Sequence, residues 1–185
     1  MSKLRLITFI LVALIQITVP ASMIWKRQRT LRDGRLWKFR TAPVDPVDVM
    51  RGRYLVLRFE AENFVSAKPL PYRGTVYVKL KEDAEGFAVV DQADVTPTEA
   101  DDVVKAESLS YYERMAHVRF PFDRLWVTEA SAPAAEKAYA EHSRREKVDA
   151  YATVRVMAGD AGIEELYIAG QPLREYLRSH PPQDP

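Results

Sequence analysis

The most informative absence from this 185-residue chain is cysteine, of which there is none. Without cysteine, the chain has no disulfides, thiolate nucleophiles, zinc–thiolate sites or cysteine-bound iron–sulfur clusters. The absence does not fix the compartment, because proteins of oxidising compartments need not contain disulfides. It does remove several large classes of enzyme and metal protein from consideration.

A strong net charge is missing as well, since 27 Lys and Arg residues face 26 Asp and Glu residues for a net charge of +1. Nucleic-acid binding requires clustered Lys and Arg to displace counterions from the phosphates, so we expect no nucleic-acid partner. The G-x-S-x-G, P-loop and H-E-x-x-H patterns do not occur either. His117, His142 and His180 have no ligand-pair spacing, and the sequence predicts no metal site, no cofactor and no catalytic residue.

Charged residues are absent from one long stretch near the start of the chain, Leu6–Ile24. At about 1.5 Å per residue, a helix of this length spans the roughly 30 Å hydrocarbon layer of a bilayer. Trp25 closes the run in the manner of an interfacial aromatic residue, and basic residues follow it. We therefore expect residues 1–25 to form a transmembrane signal anchor in the lipid bilayer and residues 26–34 to form a basic juxtamembrane flank.

A cleaved signal peptide is the alternative interpretation of the same stretch. Lys3 and Arg5 provide a basic n-region, and Val19-Pro20-Ala21 resembles a small-residue cleavage site. Retention is favoured because the run reaches spanning length and ends in an aromatic–basic stop. Pro20 is then expected where the helix is already finishing.

The orientation of the anchor follows from two competing charge patterns. The flank after the run carries more Lys and Arg than the N-terminus, which by the positive-inside rule would place the body in the cytoplasm. A very short basic N-terminus before the first apolar run is nevertheless typical of a signal anchor with its N-terminus inside. We expect a single-pass protein of the cell membrane with an extracytoplasmic C-terminal domain.

Alternation of apolar and polar residues predicts that most of the body is β-structure. Successive side chains of a strand point to opposite faces, so one parity should face the core. The residues predicted to face inward on the first three strands are Trp37 and Phe39, then Leu55, Leu57 and Phe59, then Val76, Val78 and Leu80.

The second half of the body is predicted to contain further strands and one packed helix. The predicted strands are residues 111–119, 125–127, 149–157 and 163–168, the last two forming a hairpin. The helix is capped by Ser131 and runs to about Glu146, with Ala135, Ala138, Tyr139 and His142 on one face. A helical turn is expected at residues 174–178.

The predicted fold class is therefore mainly β with one packed α-helix. An N-terminal transmembrane helix precedes a compact antiparallel sheet or partial barrel over residues 35–178. Residues 179–185, which include three prolines, are expected to form a disordered tail.

A short motif lies at the start of the second predicted strand, in the segment RGRYLVLRF. Together with the anchor, the preceding PVDP turn and the later segment FPFDRLWVTEA, it resembles the GDYXXLXY family of bacterial membrane-anchored proteins of unknown function. Gly52, Tyr54, Leu57 and Phe59 stand at the defining positions of that motif. Arg53 replaces the family's Asp, and Phe59 replaces its final Tyr. The resemblance implies a structural or interaction role for these positions, with packing as the main role of Phe59.

Tyr54, Arg58 and Tyr77 share outward parity on two strands predicted to be neighbours. They could form an aromatic–cationic binding patch on the surface of the sheet. The alternative is an ordinary cross-strand pair that stabilises the sheet without binding anything.

Two functions of different classes remain open on these residues. The first is a membrane-anchored, non-enzymatic accessory or interaction protein, with another membrane protein as its partner. The second is a membrane-proximal hydrolase with a degenerate Ser–Lys site like that of signal peptidases, built from Ser22 and either Lys79 or Lys81. A lysine serves as general base only when desolvation lowers its pKa, so the two functions differ in whether such a lysine is buried beside the serine.

Overall fold

The structure, a computed structural model, describes residues 3–43, 54–143 and 149–180. Its helices are α1 (Lys3–Asp33), α2 (Ala132–His142) and α3 (Leu173–Ser179). Its strands are β1 (Arg35–Arg40), β2 (Tyr54–Val56), β3 (Asn63–Val65), β4 (Gly74–Glu82), β5 (Ala88–Asp94), β6 (Val103–Tyr112), β7 (Met115–Arg119), β8 (Arg124–Trp126), β9 (Ala150–Met157), β10 (Asp160–Ile168) and β11 (Gln171–Pro172). The predicted fold class, an N-terminal apolar helix followed by a β-rich body, is confirmed.

Helix α1 is longer than the sequence predicted. Pro20 lies inside it, and the helix continues without interruption through the basic flank to Asp33. The expectation that Pro20 marks the helix end is therefore wrong, because the turns after it gain packing against the body that outweighs the hydrogen bond lost at proline. The segment Ile7–Asp33 is long and apolar enough to cross a membrane, and none of its most apolar window is buried in the described chain.

The C-terminal end of α1 docks against β9 and β10. Thr30 is only 3% exposed, and the Gly34 N–H donates to the Thr30 carbonyl oxygen at 3.0 Å. Arg155 Nη1 in turn donates to the Gly34 carbonyl oxygen at 3.1 Å. A Cβ at Gly34 would clash with the Thr30 carbonyl oxygen and lie 3.0 Å from the Val156 carbonyl oxygen. The helix can therefore approach the sheet this closely only because position 34 is glycine.

Three antiparallel sheets form the body. One has the strand order β1-β9-β10-β11, another the order β3-β7-β6-β4-β5, and the third is a two-stranded ribbon of β2 and β8. A single bridge between Thr41 and Phe59 connects the end of β1 to the segment after β2. Another, between Val104 and Gly159, connects β6 to the β9–β10 turn. The sheets thereby curve around one core as a partial barrel.

The core contains the residues that alternation predicted. Each of the eight inward residues of the first three predicted strands is at most 2% exposed. Parity succeeds here because one face of each sheet packs on the core, so a slip of one residue would expose the whole apolar set. Tyr139 and Ala135 of α2 are also fully buried, and this helix covers the ribbon side of the core.

One predicted strand is in fact a hairpin. Residues 111–119 turn at Glu113 and Arg114, which have φ angles of +48° and +70°. Two consecutive positive φ values are typical of the tight turn that joins two antiparallel strands. Such turns normally contain Gly or Asn, and neither residue is present to indicate the turn in the sequence.

The helix boundaries also differ from prediction. The hydroxyl of Ser131 hydrogen-bonds Thr128 and makes no capping bond to α2. α2 ends at His142, and the predicted continuation to Glu146 falls outside the described residues. α3 includes the predicted turn and extends one residue into the expected tail, to Ser179.

Candidate functional site

The two segments that carry the motif resemblance lie side by side in the fold. β2 pairs with β8 so that Tyr54 stands opposite Trp126 and Leu55 opposite Leu125. Beyond the ribbon, the Leu57 N–H donates to the Asp123 carbonyl oxygen at 2.8 Å. We call this pair of strands the aromatic ribbon, because Tyr54 and Trp126 stand opposite each other on one of its faces.

The inner face of the aromatic ribbon rests on a cluster of phenylalanines. Phe120 and Phe122 stack at 5.0 Å, and Phe39 and Phe59 contact Phe122 at 5.2 Å and 5.3 Å between ring centroids. All four rings are at most 3% exposed. Such tilted contacts add about 0.5–1.5 kcal/mol each to the burial of the rings, so the ribbon has a rigid base.

The outer face of the aromatic ribbon presents a tryptophan to solvent. Trp126 is 70% exposed, although its ring lies edge-on to Tyr54 at 5.2 Å. The guanidinium of Arg124 lies 5.1 Å from the centre of the Tyr54 ring on the same face. Tryptophan and arginine are the residues most enriched in binding hot spots, and these two are held in place by an aromatic neighbour.

Beside Trp126 lies a groove with a volume of about 720 Å³, bounded by β8, β10 and α3. We call it the Trp126 groove. Its floor is apolar and includes Leu125, Val127, Leu173 and Leu177. Charged side chains of both signs line its rim, namely Glu164, Glu165, Arg174 and Arg178. The volume and the mixture of apolar floor and polar rim are typical of ligand-binding clefts.

Two strand edges border the Trp126 groove. Within the described ranges, β8 has β2 on one side and no strand on the other. β11 pairs only with Tyr167 and Ile168 of β10, so in the described residues the earlier part of β10 has no strand partner on that side. Open edges present unpaired backbone N–H and C=O groups, and another extended segment can pair with them.

The α3 wall of the Trp126 groove is positioned by a buried histidine. His142 is 3% exposed, and its Nδ1 donates to the Asp149 carboxylate at 2.6 Å, since a carboxylate can only accept. In the neutral ring, Nε2 accepts from the Tyr176 hydroxyl at 3.0 Å. The imidazole thus connects α2, the start of β9 and α3, and the ring of His180 stacks on Tyr176 at 4.3 Å to complete the wall.

The sequence model of the GDYXXLXY protein family matches residues 16–166 of the chain. The chain belongs to the GDYXXLXY family. The match includes both strands of the aromatic ribbon and the β10 side of the groove, and it ends before α3. Searches of curated proteins and of solved structures find no match to the chain.

The GDYXXLXY motif positions fall into two groups in the structure. Leu57 and Phe59 are completely buried, whereas Tyr54 is half-buried on the outer face of the ribbon. Gly52 and Arg53 lie outside the described residues. The described part of the motif therefore contributes one aromatic ring to the outer face of the ribbon and two side chains to the core beyond it.

The predicted patch of Tyr54, Arg58 and Tyr77 is not assembled as expected. Tyr77 lies on β4, which pairs with β5 and β6, so β2 and β4 are not neighbouring strands. The guanidinium of Arg58 lies 4.0 Å from the carboxylate of Glu62. Strand order depends on contacts distant in sequence, which parity within one strand does not report. The aromatic neighbour of Tyr54 is Trp126 instead.

Sequence reasoning missed a buried polar cluster directly after the motif. Glu62 is 2% exposed, its Oε2 accepts from the Phe59 N–H at 3.4 Å, and its Oε1 has no partner in the described chain. Burial raises the pKa of the Glu62 carboxyl, and the charge of Asp123 adds to that rise. The Phe59 and Phe120 backbone N–H groups and the charge of Arg58 oppose it. No pattern distinguishes Glu62 from the exposed Glu60 of the same turn.

The hydroxyl of Tyr139 was also missed, because only the apolar face of α2 was predicted. It accepts from the Arg58 N–H at 3.3 Å and donates to the Ala42 carbonyl oxygen at 3.4 Å. Tyr139 is fully buried, and this burial raises the pKa of its phenol well above the usual value. The phenol thus fastens α2 to the segments on either side of the aromatic ribbon.

The histidines lie in separate places. His117 Nδ1 hydrogen-bonds Asn63 at 2.8 Å, and burial together with the charges of Arg58 and Arg119 lowers the pKa of His117. In the residues that the structure describes, no three His, Asp or Glu side chains converge in a geometry that could hold a metal ion.

The residues of the Ser–Lys alternative are exposed. The Ser22 hydroxyl donates to the Val19 carbonyl oxygen of α1 at 2.7 Å. Lys79 and Lys81 lie 3.8 Å and 3.0 Å from Asp102 and Asp91, with side chains 44% and 58% exposed. Neither lysine has the desolvated environment that a general base requires, so no contact favours the hydrolase interpretation.

Proposed function

We propose that the protein is a single-pass, membrane-anchored, non-enzymatic interaction protein. Its Trp126 groove binds an extended segment of another membrane protein on the extracytoplasmic side. The anchor is Leu6–Ile24 in α1, which has the length and composition of a membrane span. Helix α1 docks directly on β9 and β10 and leads into β1 through the single residue Gly34, so the body follows the anchor without a linker.

The observation that carries this proposal is the exposed ring of Trp126 beside an apolar groove. The 70% exposed Trp126 lines the same groove as the apolar Leu125 and Val127, and a contiguous apolar surface of this kind marks an interaction site. The phenylalanine base and Tyr54 fix the ribbon before any partner arrives, which lowers the entropy lost on binding. These are the properties of an anchor residue at the centre of an interface.

The open edges of β8 and β10 support an extended occupant. An extended peptide can add to a sheet edge, where main-chain hydrogen bonds provide affinity and pockets for alternate side chains provide specificity. Leu125 and Leu177 on the groove floor would take apolar side chains of such a segment. Arg174 and Glu164 at the rim offer charges of both signs to its polar side chains.

Photo-crosslinking in native membranes tests this function. A benzoylphenylalanine that replaces Trp126 should form a covalent product with a membrane protein, and one that replaces Tyr112 should not. Tyr112 is a matched control because it is 74% exposed and lies at the end of β6. The product should be lost when Leu177→Arg places a charge on the groove floor.

Co-purification gives a quantitative check. Trp126→Ala should lower the recovered partner about thirtyfold, since hot-spot truncations cost about 2 kcal/mol or more. Tyr112→Ala should leave the recovery unchanged. Equal recovery with the Trp126 and Tyr112 variants would refute the groove as the binding surface.

A further inference from the structure

A second cavity, of about 490 Å³, lies where α1 meets the β9–β10 turn. We call it the junction cavity. α1 contributes Met23, Lys26, Arg27 and Thr30 to its wall, the turn contributes Asp160, and β6 contributes Lys105. Three cationic side chains therefore surround a space that contains one carboxylate. The cavity does not share residues with the Trp126 groove.

The single carboxylate of the junction cavity neutralises only one of the cations. Lys26 Nζ lies 2.7 Å from Asp160 Oδ2. Among the described residues, Arg27 and Lys105 form no ion pair, so their charges remain available to a ligand. Two uncompensated cations beside one cavity attract an anion.

Arg27 is held in position by the body of the protein. Its Nη1 donates to the Ala161 carbonyl oxygen at 2.8 Å. Its guanidinium also passes over Gly162, where an added Cβ would lie 2.7 Å from Cζ. The remaining N–H groups of the guanidinium have no hydrogen bond in the described chain. A planar, oriented guanidinium with free donors matches the oxygens of a phosphate.

The depth of the junction cavity follows from the sequence of α1. Met23 belongs to the apolar run, and the cationic Lys26 and Arg27 come directly after it. Trp25 is 67% exposed, and the guanidinium of Arg29 lies 5.8 Å from the centre of its ring. Tryptophan and basic residues at the end of an apolar membrane-spanning run lie at the level of lipid headgroups. The cavity opens at that level once α1 spans a bilayer.

We propose that the junction cavity binds the phosphate of an anionic lipid headgroup. Arg27 and Lys105 contact the phosphate oxygens, and Met23 lies beside the first part of the acyl chains. This proposal rests on the membrane anchoring of the proposed function and adds a specific ligand to it. The chemistry recognised is a phosphate monoanion, which a lipid or free phosphate could supply; the apolar Met23 wall favours the lipid.

Binding is measured on the full-length protein in a non-ionic detergent. The protein is titrated with short-chain phosphatidylglycerol, with short-chain phosphatidylcholine or with inorganic phosphate. Native mass spectrometry and calorimetry report how much ligand is bound. Arg27→Gln with Lys105→Gln should weaken phosphatidylglycerol binding about thirtyfold, about fivefold for each cation removed near a headgroup. Arg32→Gln with Lys81→Gln removes the same charge elsewhere on the surface and should change nothing.

Two further variants separate binding from folding. Lys105→Gln alone leaves the Arg27 packing intact and should weaken binding about fivefold. Asp160→Asn removes the competing carboxylate and should strengthen binding, a change that damage to the fold would not produce. Circular dichroism of each variant in the same detergent verifies its fold.

Three results would overturn the headgroup site. The first is that wild type and the Arg27/Lys105 variant bind phosphatidylglycerol equally well. The second is that the wild-type protein binds phosphatidylcholine and phosphatidylglycerol equally well. The third is that inorganic phosphate displaces phosphatidylglycerol when both are present at the same concentration. Carbonate extraction of native membranes tests the anchor separately. Release of the wild-type protein there would refute the anchoring, whereas firm retention with unchanged lipid affinity would refute the headgroup site alone.

Discussion

Replacing Glu62 with Gln should stabilise the protein increasingly as the pH rises from 4 to 8. Glu62 is almost completely buried, one of its oxygens lacks a partner in the described chain, and burial raises its pKa. In the unfolded chain a glutamate titrates near pH 4.3, at about its ordinary pKa. Between that value and the higher folded pKa, the unfolded state has lost the proton and the folded state still holds it.

The direction of the effect follows from proton linkage. Because the folded-state pKa of Glu62 is raised, its contribution to stability is greatest below the unfolded pKa and declines as the pH rises through the folded pKa. Glutamine does not titrate, so the difference in unfolding free energy between the variant and wild type isolates this one group. A buried acceptor without a partner costs about 1–3 kcal/mol, and we expect the difference to grow by that amount between pH 4 and pH 8.

Guanidinium unfolding of the full-length protein in non-ionic detergent, followed by circular dichroism at several pH values, measures this difference. Glu60→Gln is the matched control, because Glu60 occupies the same turn and is exposed. In a chain that keeps Glu62, Arg58→Gln should steepen the decline of the unfolding free energy with rising pH, because the Arg58 charge lowers the pKa of the Glu62 carboxyl. A Gln–Glu difference at position 62 that stays constant from pH 4 to pH 8 would show that the buried carboxylate is fully compensated.

Three further predictions concern the core, α2 and the membrane topology. Leu57→Asp should destabilise the protein by several kcal/mol more than Val56→Asp, because Leu57 is fully buried and Val56 only half-buried; equal denaturation midpoints would contradict the assigned core face. Tyr139→Phe should cost about 1–2 kcal/mol by leaving a backbone N–H and a carbonyl without their buried partner, and an unchanged unfolding curve would exclude this role. Tyr72→Cys should react with a membrane-impermeant maleimide in intact cells, whereas Ile10→Cys in α1 should not. The cysteine-free wild-type chain gives no background labelling. If the Tyr72→Cys variant does not react, the body lies in the cytoplasm.

The sequence predicted the buried faces of strands better than the arrangement of those strands. Leu55, Leu57 and Phe59 were placed inward by parity alone, and all three are completely buried. Parity reports on one strand and its own two faces. It does not report which strand lies beside it, which is why Tyr77 was expected near Tyr54 and lies in another sheet.

Local sequence patterns failed where tertiary contacts decide the structure. The turn at Glu113 and Arg114 has no glycine, and the pairing of β6 with β7 supplies the free energy that holds its positive φ angles. Helix α1 continues past Pro20 because its last turns pack on the sheet. The candidate site depended most on such contacts, since Trp126 and Leu177 are brought to one groove from segments far apart in the chain.

The uninterrupted passage from α1 through Gly34 into β1 has a mechanical consequence. From Ile24 to Asp33 the helix rises about 14 Å, so no flexible linker separates the apolar run from the body. The contacts of α1 with β9 and β10, and the hydrogen bond from Arg27 to Ala161, restrict rotation of the body relative to the helix. Under the proposed function, a partner in the same bilayer would meet a groove whose orientation is restricted by the docked helix. Less orientational freedom is left to be lost when the two proteins bind.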